Sequence, residues 1–211
     1  MVSNSPSELE DAESLTALGS PAEGYLIYLR HLGESSRDAG LGPEPQSQLD
    51  HDDESFELCE SYSTSEECLT FTDFSGDEGL IESLYIEDRP LEERLVADGE
   101  STFDGPAGSE VTFISAYENG AGTHLLIGYE LRSGSSGMMM PWGSYRNPSG
   151  RQSQSEMTQG TPTLAPDSMS YYVESIPGGE LGGEHYLELI DDEGFSMETI
   201  VIPVGAEDPE D

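Results

Sequence analysis

The stretch "EVTFISAYENGAGTHLLIGYELRS", residues 110–133, decides the fold class, because it holds two apolar runs of strand length separated by a short connector with Asn119, Gly120 and Gly122. Side chains on a strand alternate between faces, so such runs bury one face. Working outward, candidate strands recur in "PWGSYRN" (141–147), "RQSQSEM" (151–157), "SMSYYVESI" (168–176), "EHYLELID" (184–191) and "FSMETIVIPV" (195–204). "NPSG" (147–150) has Pro second and Gly fourth, the chemistry of a type I turn, and "DDEG" (191–194) joins the last two strands in the same way. Seven short strands with turn signals fit an immunoglobulin-like antiparallel β-sandwich over residues 110–205.

Upstream the pattern changes. Residues 1–20 are polar and expected as a flexible acidic tail. "PAEGYLIYLRHLGESSRDAGLG" (21–42) carries Leu26, Leu29 and Leu32 beside Tyr25 and Tyr28, an amphipathic helix with Gly33 as its expected stop. "ECLTFTDF" (67–74) and "LIESLYI" (80–86) read as a hairpin turned by "SGDEG". The expected organisation is mainly β: a small α+β domain at 21–98, a Gly, Pro and acid-rich linker at 99–109, the C-terminal sandwich at 110–205, and an acidic tail at 206–211.

Charge narrows the function classes. Seven basic residues, all Arg, stand against 44 acidic ones for a net charge of −37, and the chain has no Lys. Such an excess repels nucleic acid and anionic membrane surfaces. Three origins are expected for it: adaptation to high salt, nonspecific binding of monovalent or divalent cations, or mimicry of a polyanion that sequesters a basic protein. Without Lys there is no Walker phosphate loop and no Schiff-base chemistry. No G-x-G-x-x-G, G-x-S-x-G or H-E-x-x-H occurs, and His31, His51, His124 and His185 show no ligand spacing. The reading is non-enzymatic, with no cofactor and no catalytic residue. A carboxylate-pair hydrolase is the remaining enzymatic reading, although no pair singles itself out. From Asp73 an EF-hand count fails at Glu78, where the sharp turn needs Gly, and at Leu84, where a bidentate Glu is needed. Weak cation association is expected only at the clustered carboxylates of Asp52, Asp53, Asp191 and Asp192.

"SGSSGMMMPWGSY" (133–145) is the main apolar surface candidate. Met138, Met139, Met140 and Trp142 cannot all point inward on a strand, so part of this group should face solvent as a binding patch, with Arg146 and Arg151 at its polar rim.

The order "FISAYENGAGTHLLIGYELRSG…SYRNPSGRQ…TPTLAPDSMSYYVESIPGGELGGEHYLEL…ETIVIPVG" resembles the immunoglobulin-like sandwich appended to many exported actinobacterial proteins and lipoproteins. The upstream "LCESYSTSEECLTFTDFSGDEGLIESLYIEDRPLEERL" is similar to the small two-cysteine domain that can precede it. The resemblance implies a non-catalytic, extracytoplasmic or cell-surface accessory module that binds an unidentified protein partner. A signal segment or lipid anchor would then stand ahead of this sequence, which has no membrane-spanning run of its own; the alternative is a cytoplasmic protein of a salt-adapted cell. If residues 56–62 and 67–72 pair as strands, Cys59 and Cys68 approach the roughly 5.5 Å Cα separation of a disulfide, and a staple is expected. In a reducing compartment the same two residues would be buried thiols.

Overall fold

Ser20 starts helix α1 (Pro21–Asp38): its hydroxyl accepts the Glu23 N–H at 3.2 Å, and the Glu23 carboxylate reaches back to the Gly19 N–H at 2.6 Å. With Pro21 in the first turn, this reciprocal arrangement satisfies amide groups that the helix leaves open. The helix runs through Gly33, its expected stop, to Asp38. The reason is tertiary, because the Asp38 carboxylate accepts from the Ser170 hydroxyl at 2.6 Å and the Tyr171 N–H at 3.1 Å, while the Gln159 amide donates to Ser36. These bonds outweigh the roughly 1 kcal/mol that Gly costs inside a helix.

The computed structural model of the chain describes residues 12, 14–41, 47–51, 55–62, 65–119, 122–192 and 195–205. After α1 come β1 (Ser47–His51), β2 (Phe56–Tyr62), β3 (Ser65–Ser75), β4 (Ser83–Ile86) and β5 (Arg89–Pro90), which form an antiparallel sheet in chain order. Part of the expected tail is tied to it, since the Ala17 N–H donates to the Ile81 carbonyl and the Ile81 N–H to the Leu15 carbonyl.

β6 (Leu95–Ala97) and β7 (Thr102–Asp104) both pair with β8 (Glu110–Glu118). The segment read as a linker therefore holds a strand of the main sheet and a 3-10 turn at Pro106–Gly108. β9 (His124–Arg132) follows, then β10 (Met138–Met139), β11 (Trp142–Arg146), β12 (Gln152–Gln154), β13 (Met157–Gln159), β14 (Thr163–Leu164), β15 (Met169–Pro177), β16 (Gly183–Ile190) and β17 (Ser196–Val204). They assemble into a six-stranded sheet, ordered β13-β15-β9-β8-β6 with β7 also on β8, and a four-stranded sheet, ordered β12-β11-β16-β17. The turn at "NPSG" closes β11 onto β12 through the Gly150 N–H and the Asn147 carbonyl, 2.8 Å apart, with Gly150 at φ +83°.

Two apolar cores flank the six-stranded sheet. Val111, Phe113, Leu125, Ile127, Leu131 and Ile176 on its inner face share one core with Tyr145, Leu187, Leu189, Ile200, Ile202 and Val204 of the four-stranded sheet. On its other face Tyr117 and Leu126 join Tyr25 and Tyr28 of α1, Phe71 of β3, and Leu84 and Ile86 of β4. Alternation along each strand serves both faces, and a bulge between Phe113 and Ser115 switches the parity of β8, so that Phe113 faces the inner core and Tyr117 the outer one. The expected α+β domain and the expected sandwich thus share a layer.

The cysteines require a correction. The backbone register sets Cys59 opposite Cys68, but Cys68 is exposed and the Cys59 side chain lies outside the described residues, so no described pair of sulfurs stands at bonding distance. Alternation on β3 explains the position: Phe71 points into the core, and Cys68 has the opposite parity. The expected staple is accordingly not a feature of the described fold, although Cys68 is not a free thiol.

Candidate recognition site

The four-stranded sheet buries only one face. Cross-strand register arranges the other in rows: Trp142 opposite Glu188 opposite Thr199; Gln154, Ser144, Tyr186 and Val201; and Gln152, Arg146, Glu184 and Pro203. Ser144 is the small member beside Trp142 and Tyr186. A shallow trough lies there, lined by Trp142, Ser144, Gln152, Gln154, Tyr186, Glu188 and Thr199.

Both aromatic rings are held in place. Trp142, 57% exposed, donates its indole N–H to the Gln154 side-chain oxygen at 3.0 Å. The Tyr186 hydroxyl donates to the Glu184 carboxylate, a bond that raises the phenol pKa, and the Arg146 guanidinium lies 4.9 Å from the ring centroid. Arg146 also reaches Glu184 at 3.4 Å, so its charge is locally offset, whereas Glu188 has no cation beside it in its row.

Beneath the trough the inner face is polar at one point. Tyr129 donates its hydroxyl to Glu174 at 2.8 Å, and His185 Nε2 lies 3.2 Å from the other Glu174 oxygen, all three residues being inaccessible to solvent. Burial, with the Glu174 charge adding to it, drives the Tyr129 phenol pKa well above its ordinary value. The carboxylate comes between the sheets only because position 143 is Gly, where a Cβ would fall 1.7 Å from Glu174 Oε2. This network is sealed from solvent and joins β9 and β15 to β16 beneath Gly143 of β11.

The residues read as a patch separate in space. Met138 is buried at 2% exposure, Met140 packs against the core, and Met139, 39% exposed, stands on β10, which pairs with β14 and not with β11. Trp142 and Arg146 face outward together, while Arg151 is exposed beyond the β11–β12 turn and close to Gly178. The expectation that Met138, Met139, Met140 and Trp142 cannot all point inward agrees with the exposure of Met139 and Trp142, which stand on different strands. Sequence reasoning missed Ser144, Gln152, Gln154, Tyr186 and Glu188, whose local signal was no more than alternation; only register brings them together.

The histidines stay apart. His31 packs at a tilt against the Tyr171 ring, His124 lies 3.5 Å from Glu156, His185 is in the core, and the His51 side chain lies outside the described residues. Asp52 and Asp53 are also outside the described residues; Asp191 accepts the Phe195 N–H at 2.8 Å and Asp192 faces Gly137. Among the described residues no group of three or more His, Cys, Asp and Glu is placed to hold a metal ion, and no described helix is long and apolar enough to cross a membrane. Compared with family models, curated proteins and solved structures, the chain has no match.

Proposed function

We propose that the chain is a non-catalytic recognition module with an immunoglobulin-like sandwich at its centre, and that the outward face of its four-stranded sheet is the recognition surface. The strand orders support the fold reading: taking β8, β9, β11, β13, β15, β16 and β17 as A to G gives A-B-E-D in one sheet and C-F-G in the other, with β12 beside C. The exported actinobacterial modules that the sequence resembles support an extracytoplasmic location, with the acidic surface serving solubility in salt. The polyanion reading is weaker on this face, because Tyr186 interrupts the acids of β16 and Arg146 covers Glu184.

A single observation carries the proposal, namely an exposed Trp pinned upright by Gln154 above a trough floored by Ser144. Large rigid aromatics in a concave polar frame are the usual anchors of recognition. Trp142 is the sole Trp of the chain, so its fluorescence reports on this face alone. Titration against an array of glycans and of basic and acidic peptides should yield a saturable emission change that Ser144→Leu, which fills the trough, removes without moving the thermal midpoint. If no array member produces such a change, the recognition reading falls. Fractionation of source cells checks the location, and recovery in the cytosol alone would overturn it.

A further inference from the structure

We infer that the trough on the four-stranded sheet binds a neutral oligosaccharide, with Trp142 as the stacking platform for a pyranose ring; the inference rests on the recognition reading above and names its ligand class. A pyranose presents an apolar face of C–H groups and a rim of hydroxyls that both donate and accept. Its binding site therefore needs a flat, electron-rich ring beside side chains of both hydrogen-bonding senses. The indole supplies the ring, and more than half of its surface is open. Its orientation is set by the bond to Gln154, which uses that amide's oxygen, while the same group carries two N–H donors at the trough's edge. Gln152 adds a second amide, Ser144 and Thr199 add hydroxyls, and Glu188 adds a carboxylate that can accept from two vicinal hydroxyls at once.

Tyr186 forms the opposite wall. It lies diagonally across one strand pair from Trp142, a separation of roughly 7–8 Å between such positions. Arg146 covers Tyr186, so Trp142 is the open stacking surface and Tyr186 the fixed boundary.

Charge decides against the other ligand classes. An anionic ligand, whether a sulfated glycan or an acidic peptide, meets Glu188 in the trough and a chain of net charge −37, while Arg146, the cation of the same outward face, is already held by Glu184. A basic peptide would be drawn by the net charge from any direction. Yet of the non-aromatic side chains lining the trough, Ser144, Gln152, Gln154 and Thr199 are neutral and only Glu188 is acidic. A cation site selects carboxylates; this one selects amides and hydroxyls. A neutral polyol uses every group present and asks for no charge that is missing.

The test uses the whole chain in 1 M NaCl, which screens long-range attraction to about 3 Å. Trp142 emission is followed on addition of cellohexaose, mannohexaose and chitohexaose, with a heparin hexasaccharide and an arginine nonapeptide as the charged arms. At least one neutral oligosaccharide should shift the emission to shorter wavelength and saturate, with the charged arms inert. By calorimetry, Trp142→Ala should weaken that binding at least about tenfold, and Ser144→Leu should abolish it. Phe195→Ser, at an exposed apolar residue that does not line the trough, should leave it unchanged. If the nonapeptide or the heparin fragment alone moves the emission and Ser144→Leu removes that response, the recognition face stands and the saccharide assignment is overturned. If all five probes are inert, the saccharide assignment is likewise overturned, and the array titration separately decides whether the recognition reading survives.

Discussion

The two sheets differ in what covers them, and their strands carry the difference as a pattern. In the six-stranded sheet, β8 and β15 are each buried over five consecutive residues, Phe113–Tyr117 and Tyr172–Ile176, because α1 and the β3–β4 hairpin occupy the face that the core does not. In the four-stranded sheet, β16 alternates buried and half-buried residues along its whole length, Gly183–Ile190. Strands covered on both faces read as near-continuous apolar runs, and strands with one wet face alternate. The alternating strands leave one face open to solvent, and that open face, with the exposed Trp142, is where the proposed recognition surface lies.

The junction between the sheets should give the largest effect. Glu174→Leu strands the Tyr129 hydroxyl and His185 between the sheets, and with each buried polar group left without a partner costing about 1–3 kcal/mol, a loss of about 4 kcal/mol is expected. Glu174→Leu combined with His185→Leu should recover in urea denaturation only the share owed to His185, because Tyr129 stays without its partner. A single substitution costing less than about 1 kcal/mol would mean that the network does not hold the sheets together.

A matched pair of substitutions then tests the covered face against the bare one. Tyr117 sits 5.4 Å from the Tyr25 ring and 4.9 Å from the Tyr28 ring, so Tyr117→Ala should cost about 3–4 kcal/mol. The same change at Tyr186 should cost no more than about 0.5 kcal/mol, the range of surface positions. Equal costs would erase the contrast between the sheets.

The smallest effect is confined to pH and to the covered face. His31, buried where α1 meets Tyr171, has its pKa lowered from 6.5 to about 4, by burial first and by Arg30 second. Glu34 lies 3.6 Å away and would favour the charged ring, but burial raises its own pKa and weakens that pull. Between these pH values the unfolded chain holds the extra proton. The contribution of His31 is therefore complete above about pH 6.5 and is lost as pH falls towards 4, a change of about 3 kcal/mol at most. Because protonation of the many carboxylates acts in the opposite sense, the measurable quantity is a difference: His31→Phe should gain on the wild type as pH drops from 7 to 4. A gap that does not change with pH would show that the ring is not held neutral.

Strand positions were legible because period-two alternation is local. "EVTFISAYE" coincides with β8 residue for residue, and "NPSG" turns where its Pro and Gly require. The helix start was legible from Pro21 and its apolar spacing, but not its end, because what carries it past Gly33 is a bond from Asp38 to Ser170, 132 residues away. Residues 99–109 looked like a linker because Gly, Pro and acids dominate them, yet β7 forms there through pairing with β8, which composition does not encode. The candidate site was half legible. Trp142 announced itself by parity beside three Met, whereas Gln154 and Tyr186 acquire meaning only through the register of β11 with β12 and β16.

The placement of α1 sets an order of events during synthesis. The ribosome releases residues 21–38 first, but the platform they rest on is made of β6, β8 and β15, the last of which ends at Pro177. The helix cannot dock until most of the chain has emerged, and in the meantime Tyr25, Tyr28 and their apolar neighbours wait in water, the state in which nascent chains aggregate. The helix itself carries three acids against two Arg, so repulsion between copies comes from the rest of the chain, in which acids outnumber Arg far more heavily. The like charge of the chain therefore acts on the unfinished molecule as well as the finished one, over the interval before β15 completes the sheet and gives the helix its place.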